Sequence, residues 1–321
     1  MTERILVTGA GGQLGRELIR TFVAIYGEDA IIASDIDVVK ANYFTQCHFE
    51  PLNIFDTNNL HYIIRAYKVT QIYHLAAILS AAGEQDHHNA WQVNVQGLIN
   101  VLEAAKEYKI KRMFWPSSIA VFGRNSPKRN TPQYSVTDPI TGYGIAKVAG
   151  ELWCQYYYEK LGLDVRSLRY PGLIGHRSLP GGGTTDYAVD IYHHAVQGKK
   201  YTCYLKPDTR LPMLYMPDAI KAALDLMQVS RKKLSVRTSY NLAGMSFTPA
   251  EIYRSIGQFY PNFQIEYKPD FRKEIADTWP ESIDDSKART DWGWKPKYDL
   301  DYMTVDMLEY LEQGPKRPLL P

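Results

Sequence analysis

Thr8-Gly-Ala-Gly-Gly-Gln-Leu-Gly15 follows directly on the short apolar run Arg4-Ile-Leu-Val7. Gly9, Gly12 and Gly15 are three residues apart, between a predicted strand and a predicted amphipathic helix. The first glycine permits a tight strand-to-helix turn, the second lets the backbone approach a pyrophosphate, and the third lets the helix pack on the strand. The free N–H groups at the start of the helix then face the phosphates. This stretch predicts a dinucleotide-binding βαβ unit, with Gln13 and Leu14 counted among its cofactor-binding residues.

Asp35 ends the second predicted strand, about twenty residues after the glycines. A carboxylate at that position accepts hydrogen bonds from the adenosine ribose hydroxyls and repels a 2′-phosphate. Ile36 follows instead of an arginine, which favours NAD over NADP. The competing interpretation is an ordinary strand-end aspartate that caps the next turn. Because the glycine stretch precedes Asp35, we prefer the interpretation that this carboxylate binds the adenosine ribose.

Strand-like and helical patterns continue to alternate after Asp35. Residues 52–56, 71–76 and 112–117 are predicted strands, and 57–68 and 91–108 are predicted helices. This alternation predicts an α/β fold with a doubly wound parallel sheet, in which ligands bind beyond the carboxyl ends of the strands. The cofactor-binding residues expected at those ends are Asn53, Ile54, Leu75, Ala76 and Ala77. Asn94 is either a buried polar tether or a helix surface residue, and the sequence does not decide between them.

Tyr143-Gly-Ile-Ala-Lys147 places a tyrosine and a lysine four residues apart, on one face of a predicted helix. A lysine charge about 4 Å from the phenol, at an effective dielectric of about 20, is worth roughly 4 kcal/mol, or close to three pKa units. Such a shift would let the tyrosine exchange protons with a substrate alcohol. Alone, the pair is weak evidence, and the default interpretation is an amphipathic helix with a half-buried tyrosine and a solvated lysine.

The glycine stretch, Asp35, Ser118 and the Tyr143–Lys147 pair resemble, in order and spacing, the extended short-chain dehydrogenases/reductases. Within that family, the chain is similar to the short-chain-type L-threonine 3-dehydrogenases over nearly its whole length. The stretches that carry this second similarity are 115–123, 169–173, 180–189, 211–218 and 279–286. One departure from the wider family is Asn53, where a strand-end aspartate is common.

The resemblance implies a Rossmann-type NAD-binding fold with a smaller mixed α/β cap. It implies that Ser118 hydrogen-bonds the substrate oxygen, that Tyr143 takes the hydroxyl proton, and that Lys147 lowers the tyrosine pKa and holds the nicotinamide ribose. Tyr170, Pro171 and Leu173 are expected to border the nicotinamide, with core packing as the competing interpretation. The substrate-binding residues expected are Ser80, Ser118, Tyr143, Thr184, Thr185 and Trp279, with no metal.

The activity implied is NAD-dependent oxidation of the C3 hydroxyl of L-threonine to 2-amino-3-oxobutyrate, in threonine breakdown towards glycine. Two alternatives stay open: a nucleotide-sugar epimerase or dehydratase that keeps NAD tightly bound, and a non-catalytic NAD-sensing regulator. The glycine-rich segment at 180–185 reads as a lid with free backbone torsions that folds over a small substrate.

Residues 1–174 are predicted to form the NAD-binding domain and 175–321 the substrate-binding cap, some of whose segments pack back on the main sheet. In the cap, helices are expected at 184–197, 217–227 and 300–313 and short strands at 239–242 and 265–268. A capping box at Thr248 and Glu251 starts another helix. Apolar residues surround most of the predicted helix at 144–160. With residues 91–108 beside it, this helix suggests a homodimer.

Charge and cysteine content narrow the function classes. The 321 residues carry 37 basic and 35 acidic side chains, without a basic run, so neither nucleic acid nor an anionic membrane is an expected partner. Cys47, Cys154 and Cys203 match neither a disulfide framework nor metal-ligand spacing. The chain begins almost on a strand, which leaves no room for a signal peptide. We therefore expect a cytoplasmic protein, or one from the matrix of a reducing organelle if a transit peptide is missing.

Overall fold

The computed structural model describes residues 3–177 and 179–313, along which strands and helices alternate as far as Tyr170. The strands are β1 (Ile5–Thr8), β2 (Ile31–Asp35), β3 (His48–Pro51), β4 (Gln71–His74), β5 (Arg112–Ser118), β6 (Val165–Tyr170), β7 (Gly172–Ile174), β8 (Tyr201–Cys203), β9 (Leu211–Tyr215), β10 (Tyr240–Asn241), β11 (Met245–Phe247) and β12 (Ile265–Tyr267). The α-helices are α1 (Gln13–Tyr26), α2 (Thr57–Ala66), α3 (Ser80–Gly83), α4 (His87–Trp91), α5 (Gly97–Glu107), α6 (Gly142–Leu161), α7 (Tyr187–Val196), α8 (Met216–Gln228), α9 (Pro249–Gly257), α10 (Phe271–Ala276), α11 (Ser286–Trp292) and α12 (Leu300–Gln313).

The central sheet has seven parallel strands in the order β10-β6-β5-β4-β1-β2-β3. Strand β1 lies between β2 and β4, so the strand order reverses there, and the glycine stretch leaves the sheet at this switch point. All four residues of β1 are buried, because helices cover both faces of the sheet. This topology confirms the predicted Rossmann-type α/β fold.

The central sheet lies between two hydrophobic clusters. One cluster joins α1 and α8 to one face, with Phe22 and Leu226 fully buried. The other joins α2, α5 and part of α6 to the opposite face, with Ile63 and Leu102 fully buried. The helices show the one-sided apolar pattern expected for elements that cover a sheet. Together, the two clusters hold the helices against the sheet and so fix the position of its carboxyl edge, where the candidate site lies.

Smaller sheets and a third hydrophobic cluster build the cap. Strands β11-β9-β7 form one sheet and β12-β8 another. The third cluster includes Tyr143 from α6, so the cap packs directly against the helix that carries the candidate catalytic residues. Strand β10 pairs with β6 in the main sheet, so the cap sequence returns to the first domain. The division at residue 174 stays a prediction.

Two features of the fold differ from the sequence-based prediction. Residues 52–56 are a loop, and the strand lies just before them at β3. Because β3 is an edge strand whose residues are half-buried or exposed, it lacks the apolar run that marked the other strands. The second feature is a set of short cap strands, β7, β8, β9 and β11, that were not predicted. No helix within residues 3–177 and 179–313 is long and apolar enough to cross a membrane.

Candidate active site

The glycine loop after β1 has the geometry that a dinucleotide requires. Gly9 has a positive φ of 70°, and a Cβ there would lie 2.5 Å from the backbone nitrogen of Ala76. A Cβ at Gly15 would lie 2.5 Å from the carbonyl oxygen of Ala10, so α1 packs closely on the loop. Gly12 is the N-cap residue of α1 and has no side chain to bond the first turn of the helix. The N–H groups of that first turn are therefore free to bind an anion. The loop therefore fits a pyrophosphate group.

Asp35 lies beside this loop, at the end of β2, and is almost fully buried. Its carboxylate accepts hydrogen bonds from the backbone N–H groups of Gly11 at 2.8 Å and Asp37 at 3.1 Å. The ammonium group of Lys40 lies 3.5 Å away, and the lysine stem covers Gly11, where a Cβ would be 2.0 Å from the Lys40 Cδ atom. The sequence-based prediction missed this cation because it comes from a six-residue 3₁₀ segment, and not from position 36.

The other predicted cofactor residues also lie at the carboxyl edge of the sheet. The side chain of Asn53 accepts a hydrogen bond from the N–H of Phe55 and so organises its own turn. Ile54 is buried against Gly97 on α5. Asn94 lies in a π-helical turn, Gln92–Gln96. Its side-chain oxygen accepts a hydrogen bond from the N–H of Ile78, and its side-chain amide donates one to the carbonyl of Ile78. Asn94 is therefore a buried tether, and it holds the segment that follows β4.

Ser118, Tyr143 and Lys147 come together at the junction of β5 and α6. Thr141 caps α6 through a 3.0 Å hydrogen bond from the N–H of Gly144, so Tyr143 lies in the first turn. The Ser118 side chain lies near the phenol of Tyr143 and lowers its pKa. The Lys147 Nζ donates to the carbonyl of Pro116 at 2.6 Å and lies 5.5 Å from the centre of the Tyr143 ring. The set predicted from the sequence is thus assembled within one small region.

The pKa of Tyr143 moves opposite to the sequence-based prediction. Burial raises the pKa of Tyr143 to about 12, and the nearby Ser118 side chain only partly opposes this. Burial lowers the pKa of Lys147 to about 8. The prediction left out the loss of hydration of both groups, which is the largest effect on each pKa. The protein's own side chains therefore leave Tyr143 protonated at neutral pH.

Ser80 and Thr184, which were predicted to contact the substrate, share a hydrogen bond. Their hydroxyl oxygens are 3.1 Å apart, and both side chains are almost fully buried. Ser80 begins α3, which packs against α6, whereas Thr184 belongs to the cap. Thr185 is buried against Gly172, where a Cβ would approach its side chain to 2.8 Å. The two hydroxyls thus join the main domain to the cap next to the helix that carries Tyr143.

The remaining predicted residues are buried in packed surroundings. Trp279 belongs to the same hydrophobic cluster as Tyr143. Tyr170 is buried, and its hydroxyl donates to the carbonyl of Ala219 at 2.9 Å. Pro171 is also buried, whereas Leu173 is partly buried in β7.

The glycine segment of the cap is more ordered than the sequence suggested. The carboxylate of Asp186 accepts hydrogen bonds from the N–H groups of Gly181, Gly182 and Gly183, at 2.8, 2.9 and 2.8 Å. Gly182 also has a positive φ of 94°. Asp186 therefore holds the segment in one conformation, and Gly182 uses the torsional freedom expected of glycine. Asp186 was missed because nothing in the sequence distinguishes an aspartate that closes a loop from one that begins a helix.

Comparisons with known proteins identify the family. A model of the NAD dependent epimerase/dehydratase family matches residues 5–243. An uncharacterized epimerase/dehydratase of Staphylococcus aureus (strain USA300) is 46% identical over 313 residues, 97% of each chain.

Solved structures agree with this assignment. An L-threonine dehydrogenase from Cupriavidus necator in its holo form is 52% identical, with a TM-score of 0.92, over 96% of this chain and 99% of that one. A monomeric L-threonine 3-dehydrogenase from a metagenome, in its apo form, is 48% identical with a TM-score of 0.93, over the same shares. This chain belongs to the NAD-dependent epimerase/dehydratase family, and it is an NAD-using oxidoreductase of the extended short-chain dehydrogenase/reductase type.

Proposed function

We propose that the chain oxidises the C3 hydroxyl of L-threonine to give 2-amino-3-oxobutyrate, in threonine breakdown towards glycine. The observation that carries the proposal is the buried hydroxyl pair of Ser80 and Thr184, which lies between the cap and the Tyr143 helix. Hydroxyl groups of this kind bind the charged ends of a small amino acid. The two solved relatives described above, whose names specify L-threonine, support the same substrate.

In the proposed mechanism, each catalytic side chain has one task. Ser118 donates a hydrogen bond to the C3 oxygen and orients it. The phenolate form of Tyr143 accepts the hydroxyl proton, and the Lys147 ammonium stabilises that phenolate. NAD, when bound, supplies the acceptor for the hydride that leaves C3. The C3–H and O–H bonds break, the C=O bond forms, and the proton on Tyr143 later passes to solvent.

The positive charges of the cap also favour a small zwitterion over a sugar nucleotide. A diphosphate needs cations that are free to bind it. Arg177 is paired with Glu17 at 3.1 Å, and Arg210 donates to Glu251 at 2.6 Å. Arg177 and Arg210 are therefore already engaged by carboxylates of the protein itself.

A spectrophotometric assay tests the proposal. We expect steady NADH production when L-threonine is added to the enzyme and NAD. A nucleotide-sugar epimerase would instead interconvert UDP-glucose and UDP-galactose without net NADH, and an NAD-sensing regulator would turn over neither substrate. Epimerisation of a UDP-sugar without threonine oxidation would replace our proposal with the first alternative.

Thr184→Ala is expected to raise the KM for threonine about tenfold, because it removes one hydrogen bond to a charged group of the substrate. The affinity for NAD should change little. Thr202→Ala is the matched control, since Thr202 is an exposed cap threonine that bonds Glu266. Steady-state kinetics and NAD titrations measure both effects. An unchanged threonine KM in the Thr184 variant would remove this residue from the substrate site.

Cofactor choice provides a further test of the site. We expect kcat/KM to be about 100-fold lower with NADP than with NAD, because Asp35 repels a 2′-phosphate. Asp35→Ser should reduce the difference in kcat/KM between the two cofactors. Lys40→Ala should widen it, because the Lys40 charge partly neutralises Asp35. Comparing kcat/KM with both cofactors in the three proteins measures this, and equal efficiencies in the unmodified enzyme would contradict it.

We also propose a homodimer through the helices at 91–108 and 144–160. Ile145, Leu152 and Tyr156 on α6 are 49%, 58% and 47% exposed, and Trp91 is 44% exposed. A second copy would cover this apolar surface by two-fold symmetry. Sedimentation velocity at micromolar concentration should show a dimer, and Leu152→Glu should convert it to a monomer, whereas Tyr302→Glu on α12 should not. A monomeric unmodified protein, like the metagenomic relative, would exclude the dimer.

A further inference from the structure

A buried ion pair lies directly behind the candidate catalytic residues. The guanidinium of Arg169 donates to both carboxylate oxygens of Glu151, at 2.8 and 2.7 Å. The two side chains are only 6% and 4% exposed. Removing two charges from water is costly, so such a pair by itself is not evidence of stability. The position of the pair in the fold indicates another role.

The carboxylate of Glu151 connects three elements of the site. Glu151 lies one turn after Lys147 and two turns after Tyr143, on the same face of α6. It accepts a 2.6 Å hydrogen bond from the hydroxyl of Ser117, the residue before Ser118 on β5. Arg169 is the β6 residue paired in register with Ser117. One side chain therefore links the end of β5, the catalytic helix and β6.

Arg169 extends the connection to the cap. Its guanidinium also donates to the side-chain oxygen of Asn241 on β10 at 3.1 Å and to the carbonyl of Gln133 at 3.0 Å. Asn241 and Gln133 bond each other, because the N–H of Asn241 donates to the side-chain oxygen of Gln133 at 2.8 Å. All these groups are buried. The donors and acceptors around the pair are thus provided by the protein itself, as a rigid polar network requires.

Glu151 also acts on the charge of Lys147. The titratable groups that surround Lys147 are Tyr143, His74, Cys154 and Glu151. Burial raises the pKa of the Tyr143 phenol and of the Cys154 thiol and lowers the pKa of His74, so these three are neutral near pH 7. Glu151 is the anion of the set. Its charge opposes the loss of the Lys147 proton.

We propose that Glu151 and Arg169 are positioning residues for the catalytic set: through Ser117 the pair fixes the strand end that carries Ser118, and the Glu151 charge keeps Lys147 in its ammonium form. This inference rests on the proposed roles of Ser118 and Lys147, but it does not depend on which alcohol is oxidised.

Glu151→Gln tests the inference, with Asp164→Asn as the matched control. Asp164 forms a similar buried ion pair with Arg166, at 2.7 Å, at the opposite end of β6. In full-length protein labelled with ¹³C-lysine, the NMR titration of Lys147, assigned with Lys147→Met, reports its protonation without requiring turnover. We expect Glu151→Gln to move that titration down by about one pH unit and to lower kcat about tenfold. Asp164→Asn should change neither, even where it lowers the melting temperature equally.

Arg169→Lys leaves a cation beside Glu151, so the carboxylate stays charged, but it removes the bidentate contact; it serves as the second variant. The Lys147 titration should then stay near its position in the unmodified protein, because both charges of the pair remain. The proposal is overturned if Glu151→Gln leaves the Lys147 titration unchanged, or if both variants lower it equally. If the unmodified enzyme oxidised no threonine, the proposed function would fail, whereas the lysine titration would still decide the role of the pair.

Discussion

Tyr143→Phe is expected to lower kcat for threonine oxidation about 10³-fold, because the substrate proton then has no acceptor. The affinity for NAD should remain nearly unchanged. The phenyl ring can keep its place, since Tyr143 is 9% exposed and belongs to the cap's hydrophobic cluster. Steady-state kinetics and an NAD binding isotherm measure the two quantities separately. A variant with a near-normal rate would show that Tyr143 is not the base.

The pH dependence of the rate adds a second test of Tyr143. Burial raises the pKa of Tyr143 to about 12, so the phenolate is the minor form at working pH. Below the Lys147 pKa of about 8, kcat/KM should therefore rise with pH, by up to about tenfold per unit, and above it the loss of the Lys147 charge should reduce this rise. The residual rate of the phenylalanine variant should lack this rise. Tyr157→Phe is the control, since Tyr157 is a buried tyrosine on the same helix whose hydroxyl bonds Glu103.

Lys147→Met is expected to lower kcat about 10²-fold and to weaken NAD binding about tenfold. Methionine preserves most of the apolar stem but removes the ammonium group. That group donates to the Pro116 carbonyl at 2.6 Å and lies 5.5 Å from the Tyr143 ring. The phenolate then loses its nearby positive charge, and the proposed contact to the nicotinamide ribose is lost as well.

Measuring kcat and the NAD dissociation constant for the same preparation separates the two roles of Lys147. Lys160→Met, an exposed position on the same helix, should change neither quantity. A normal NAD affinity in Lys147→Met would contradict the ribose contact but not the effect on Tyr143. A normal kcat would contradict the proposal that the Lys147 ammonium stabilises the Tyr143 phenolate.

Local sequence signals predicted much of the fold. The capping box is present as predicted, with Thr248 accepting from the N–H of Glu251 and Glu251 accepting from the N–H of Thr248. Helix α12 begins at the predicted residue, Leu300. The glycine stretch forms the predicted strand-to-helix turn, which lies at the switch point of the sheet. In each of these cases, the determining contacts lie within a few residues along the chain.

The features that the sequence did not reveal depend on burial and on distant contacts. The pKa of Tyr143 is governed by its burial in a hydrophobic cluster that the cap and the residues following β5 build together. Strand β7 forms by pairing with β9, about forty residues later, so it has no strong local pattern. The link from Ser117 through Glu151 to Arg169 joins residues from three separate elements. The i, i+4 spacing of Lys147 and Glu151 was visible in the sequence, but the arginine that pairs with Glu151 was not.

The central claim is that a hydride leaves C3 of L-threonine while Tyr143 accepts the hydroxyl proton. L-Threonine deuterated at C3 tests this most directly, with the reduced cofactor and the organic product analysed by mass spectrometry. We predict that one deuterium appears in NADH for each threonine consumed, and that the product is 2-amino-3-oxobutyrate or the aminoacetone formed when it loses carbon dioxide. Unlabelled NADH, or no reduced cofactor alongside conversion of a UDP-sugar, would contradict the claim.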